Sequence, residues 1–271
     1  MSSSVAAGLH VHGGGNALEI TLVLIAALTV VVYTGAAVAS RRRGRPWPLH
    51  RVVLWSCGVA LGTASVAGPL AAAAHASFVA HMWGHLLAGM LAPVLLVLAA
   101  PVTLALRTLD VVPARRLSRL LRSRPARFVA HPVTAAVLSV GGLWVLYATP
   151  LLERMQGDPL LHLVVQAHVL VAGCLFTAAV IGLDPRPHAP SRVLVAVVLV
   201  LATAAHGILA KHLYASPPSS VALADAREGA QLMYYAGAWI EAVVIVVFCA
   251  EWYRAGGRGL RASARTASIP A

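Results

Sequence analysis

Acidic residues are scarce in this chain, with nine Asp and Glu against 21 Lys and Arg among 271 residues, and charged residues of either sign make up only 11%. A soluble domain of this length needs a far larger charged surface, so the class is excluded by the deficit. Cysteine is nearly absent as well. Cys57, Cys174 and Cys249 are isolated within apolar stretches, and no C-x-C or C-x-x-C pair is present to cycle a disulfide or clasp a metal. The first sixteen residues, MSSSVAAGLHVHGGGN, lack the basic stretch that opens a signal peptide and run into an apolar segment too long for one, so no cleaved leader is expected.

What fills the chain instead is hydrophobic sequence, 59% of the residues, with a mean hydropathy of +0.79. Seven windows, near 17–39, 51–73, 78–102, 129–150, 160–182, 192–213 and 230–250, are long and apolar enough to cross a bilayer core, which takes about 20 helical residues. The expected fold is all-α, a polytopic membrane bundle of seven transmembrane helices. It divides into an N-terminal stretch 1–16 expected to be flexible, a membrane domain 17–253 and a flexible basic tail 254–271.

The arginines orient it. Arg41, Arg42, Arg43, Arg45 and Arg51 follow the first window, seven more from Arg107 to Arg127 follow the third, Arg186 and Arg192 lie between the fifth and sixth, and Arg254, Arg258, Arg261 and Arg265 end the chain. Only Arg154, Lys211 and Arg227 lie opposite. An excess of Lys and Arg marks cytoplasmic loops, so the N-terminus is expected outside and the C-terminus in the cytoplasm. The net charge of +12 thus serves orientation and contact with membrane lipids, and no nucleic-acid partner is expected. The segment from Arg107 to Arg127, with spaced leucines, reads as an amphipathic helix lying on the anionic inner leaflet. Trp47 and Trp252 on the inner side, and Trp83, Tyr147, Tyr214, Tyr234 and Tyr235 on the outer, read as interfacial aromatic belts.

Histidine follows the opposite asymmetry. Nine of the twelve fall on the outer face or in the outer half of a window: His10, His12, His75, His81, His85, His162, His168, His206 and His212. His50, His131 and His188 stand among the inner arginines and prolines and read as structural. At 1.5 Å per residue, His85, His168 and His206 reach a common depth of roughly 9 to 12 Å, with His81, His162 and His212 shallower. Ionisable groups inside a bilayer are costly and usually face a bundle interior or a wet cavity.

The most marked stretch is Ser77 to Pro101, SFVAHMWGHLLAGMLAPVLLVLAAP. His81 and His85, four apart, share one helix face and can reach one ion, and Met82 adds a thioether. Imidazole with occasional thioether suits copper, whereas imidazole with carboxylate suits zinc, Cu(II) or iron; the acids nearby are Glu153, Asp158 and Asp225. The candidate metal set is therefore His81, His85, His162, His168, His206 and Met82, with copper as the expected ion. Pro93, two turns on, is expected to kink the span beneath these histidines, and Gly58 with Gly62 forms a G-x-x-x-G packing motif. Glu241, the one acid deep within a window, is expected to pair with a polar neighbour. Three other readings compete: interhelical hydrogen bonding alone, a haem-binding redox protein with His85, His168 and His206 as axial candidates, and a zinc hydrolase. The last lacks the glutamate beside the first histidine of H-E-x-x-H, which is Met82 here.

The run H-M-W-G-H-L-L from His81 and its continuation to Pro101, the block His162 to Pro187 ending in G-L-D-P-R-P, and the region Asp225 to Trp252 ending in W-Y-R together resemble the seven-helix CtaG family of bacterial cytochrome c oxidase assembly proteins. The resemblance covers roughly residues 20 to 255. It implies a role in building the copper-containing oxidase, with oxidase subunits as partners, copper handled on the outer side, and no turnover chemistry of its own.

Overall fold

The computed structural model describes residues 3–184 and 190–267, with side chains described for 17–184 and 190–255. His188, Arg186 and Pro187 lie outside the described residues, as do the side chains of His10, His12, Arg258, Arg261 and Arg265. Helices account for the regular structure, and no strand occurs among the described residues.

Among the described residues, six helices are long and apolar enough to cross a membrane: α1 (Ala17–Arg42), α2 (Leu49–Ala74), α3 (Phe78–Thr108), α5 (Pro159–Ile181), α6 (Arg192–Ala215) and α7 (Leu223–Ala255). The remaining window, α4 (Pro132–Ala148), is continued by a short helix, Leu151–Gly157, at an 80° bend; counted as one span the pair makes seven. The bend has a local cause. Thr149 precedes Pro150, and the proline ring pushes it out of the helical region to φ −127°, ψ 168°.

Pro93, the expected kink position, follows a local change in helix type. The preceding turn of α3, Leu86–Leu91, widens to a π-helix, in which the Ala92 N–H reaches back to the Leu87 carbonyl. That wider turn directly precedes the proline, which has no N–H to give; among the candidate spans of the described residues, α4 with its continuation is the pair bent by more than 40° at a short break. A second π turn, Val137–Gly141, lies in α4.

Small residues set how closely α3 is surrounded. A methyl at Gly173 of α5 would run into the Gly89 carbonyl, and one at Gly229 of α7 would stand 2.6 Å from the Phe78 ring. One at Gly58 of α2 would stand 2.9 Å from Leu96, which accords with the packing role read for its motif. Helix α3 is thereby the central element, touched by α2, α5 and α7.

The acids tie the two ends of the bundle. At one end Glu19 accepts from the Gly68 N–H at 2.7 Å, Asp225 accepts from the Phe78 N–H at 2.6 Å and the Ser77 hydroxyl at 3.1 Å, and Asp158 caps α5 through the Leu160 and Leu161 amides. At the other, Asp184 accepts from the Thr103 N–H at 2.8 Å and its hydroxyl at 2.6 Å, capping the segment Pro101–Thr108. This cap follows a break where Ala100 takes a left-handed φ of 52° ahead of Pro101. The arginine-rich helix Val111–Leu121 buries none of its residues. Trp47, expected in the aromatic belt, is instead 8% exposed, bonded to the Tyr33 hydroxyl and flanked by the Arg51 and Arg107 guanidinium groups. The apolar cluster of Tyr33, Ala37 and Leu104 draws it inward.

Candidate metal centre

Helix α3 begins at Ser77, whose side chain accepts from the Ala80 amide. Its first turns then present His81, Met82 and His85 to the interior, where they are 6%, 0% and 4% exposed. Their one-turn spacing keeps His81 and His85 on a common face. Helix α6 brings His206, 4% exposed, opposite His85. The two rings lie 6.1 Å apart between centroids, tilted by 42°.

Glu241 of α7 completes this arrangement. Its Oε1 stands 3.1 Å from His206 Nδ1. A carboxylate only accepts, so Nδ1 carries the proton, and in the neutral imidazole Nε2 is then the lone pair. That lone pair is buried without a partner, and both ring nitrogens of His85 are buried and unpartnered too. Three orphaned imidazole nitrogens in a low-dielectric interior are costly, unless a ligand satisfies them. A carboxylate behind an imidazole is also the usual support of a metal-binding histidine. His85, His206 and Glu241 line a narrow cleft of about 60 Å³ together with apolar residues including Leu143, Phe176 and Val244.

The other candidates divide into two groups. His81 Nε2 meets the Tyr147 hydroxyl at 3.1 Å, and that hydroxyl lies 3.8 Å from Met82 Sδ. His85 packs edge-on against the same Tyr147 ring, with centroids 6.4 Å apart. Tyr147 therefore bridges all three α3 candidates. His162, half-buried near the start of α5, faces His75 rather than the deep pair. His168 is exposed, and its Nε2 is bonded to the Leu138 carbonyl at 3.0 Å, within the π turn of α4. Of the shallower histidines, His212 stacks on Trp144. The acids expected nearby are engaged elsewhere: Asp158 and Asp225 at helix starts, and Glu153 with the Ser219 hydroxyl. Among the described residues no three His, Cys, Asp or Glu side chains converge as a ready-made cage. The deep arrangement is an open pair of imidazoles with one carboxylate behind.

Two residues of this site escaped the sequence. Tyr147 reads as a belt residue because it ends an apolar window, yet it is 7% exposed and central. Glu241 is correctly expected to pair, but nothing local names His206 as its partner; its depth in an apolar span was the only signal.

Comparison with known proteins supplies the family. Uncharacterized proteins of Mycobacterium bovis and Mycobacterium tuberculosis are each 41% identical over 175 residues, 61% of this chain and 26% of theirs. One from Mycobacterium leprae is 38% identical over 176 residues, 61% of this chain and 27% of the relative. The chain thus spans about a quarter of the length of these curated relatives. No solved structure matches. The match to a family is far more extensive, running over residues 31–255 from α1 to the end of α7, and by it the chain belongs to the cytochrome c oxidase caa3 assembly factor family.

Proposed function

We propose that this protein assists cytochrome c oxidase assembly by holding copper between His85 and His206 and releasing it to an oxidase subunit. The role is one of ligand exchange, without catalytic turnover. Family membership supports the oxidase as client. One observation carries the metal: His206 with Nδ1 on Glu241 and Nε2 buried and unpartnered opposite the equally unpartnered His85. Imidazole suits copper, and a carboxylate nearby extends the range to Cu(II), while the thioether of Met82 beside His81 suits Cu(I). Two imidazoles leave coordination positions open, which a donor site needs if it is to surrender its ion. With the arginine-rich end at the cytoplasm, the histidine end faces outward from a bacterial plasma membrane.

Metal analysis of the detergent-purified chain tests this. The wild type should carry copper, and His85→Ala/His206→Ala should carry none at this site; equal copper in both would overturn the reading. Two facing imidazoles with ring centroids 6.1 Å apart are also the ligand pair of a bis-histidine haem, so the purified protein's visible spectrum decides between the two. A strong Soret band would replace copper with haem.

A further inference from the structure

The deep pair is not the only facing pair of imidazoles. His75, immediately after the last helical turn of α2, and His162, in the first turn of α5, lie with ring centroids 5.5 Å apart, tilted by 37°. They come from different helices, so the juxtaposition is tertiary. His75 is exposed, whereas His162 Nδ1 is buried without a partner. A metal–imidazole nitrogen bond is about 2 Å, so one ion between two such rings holds their centroids within about 6 Å. The observed separation fits with little movement.

The position of this pair matters as much as its chemistry. His75 and His81 together line a cleft of about 150 Å³. From His81 the Tyr147 hydroxyl and Met82 Sδ lead on to His85, which faces His206. Nitrogen and sulfur donors thus occur from an exposed ring, through the cleft it shares with His81, to the buried pair.

Building on the copper reading of the deep site, we propose that His75 and His162 form a separate two-imidazole loading site, which captures Cu(I) at the histidine end and passes it through His81 to His85 and His206. No electron transfer is involved. At each step one nitrogen or sulfur ligand replaces another on the same ion. An exposed two-ligand site exchanges quickly, and the buried pair, shielded from water, holds the ion longer.

The test uses the full chain in detergent, with Cu(I) supplied from its bicinchoninate complex and its transfer followed by the loss of that complex's colour. The wild type should show two classes of bound copper, one weak and fast, the other tight. His75→Ala/His162→Ala should lose the weak class and fill the tight site at least tenfold more slowly, to an unchanged final stoichiometry. His85→Ala/His206→Ala should keep the weak class and lose the tight one. His75→Gln, at an exposed position outside the packed core, should slow loading in the same direction, which separates the effect from misfolding. Wild-type loading rates and stoichiometry in both His75 variants would overturn the loading site alone. Unchanged copper in the His85→Ala/His206→Ala variant would instead overturn the deep site.

Discussion

His206 and His168 lie at about the same depth when residues are counted along their helices, yet they have opposite surroundings. His206 is buried, holds Glu241 through one nitrogen and leaves the other free. His168 is exposed and gives Nε2 to the Leu138 carbonyl. The difference teaches that depth in a membrane helix does not decide whether a histidine is available to a ligand; the partner on its second nitrogen does. The π turn of α4 frees a carbonyl for His168, so that side of the bundle satisfies its histidine internally. The α6–α7 side provides a carboxylate, which orients the imidazole and enriches its remaining lone pair.

Four substitutions would break or sharpen this contrast. His206→Ala should have the largest effect, abolishing tightly bound copper in purified protein, as read by metal analysis after dialysis. Glu241→Gln keeps the shape and a hydrogen bond but loses the negative charge. Competition titration with a chelator should show copper affinity lowered by about 10- to 100-fold, the usual cost of removing such a support. Gly237→Ala should come next: its methyl would stand 2.7 Å from His206 Cε1 and tip the ring off its alignment with His85. The same titration should give a loss smaller than that of Glu241→Gln. His168→Ala should be the mildest, leaving copper affinity unchanged and lowering stability by about 0.5–1.5 kcal/mol through the lost hydrogen bond, visible as a small drop in melting temperature. Should His168→Ala release copper as readily as His206→Ala, the contrast between the two flanks would be void.

Much of the fold is legible along the chain because hydrophobic length is a one-dimensional property. Each of the six long helices covers its window to within a residue, although the last begins seven residues before it, across Asp225, Arg227 and Glu228. The fourth window shows the limit. It ends at Pro150, where the backbone turns by 80°, and the residues that follow carry Glu153 and Arg154, so hydropathy marks the end of the run but not that the chain goes on as the short helix Leu151–Gly157. Pro93 follows a π turn, Leu86–Leu91, that nothing in the local sequence announces. Trp47 and Tyr147 were legible as aromatics near span ends, but whether such a ring points to lipid or into the protein depends on neighbours from other helices.

The sequence by itself determined the membrane helices, the opposed arginine and histidine ends, and the shared face of His81 and His85, because each follows from length, charge placement or helical period. Only the tertiary structure decided that His85 meets His206, that Glu241 stands behind it, and that His162 turns to His75. Helical counting sets the height of a residue, but its neighbours depend on how each helix is rotated about its axis and which helix lies beside it. Those are set by packing: Gly173 against the Gly89 carbonyl, Gly229 under Phe78, and Asp225 on the first amides of α3.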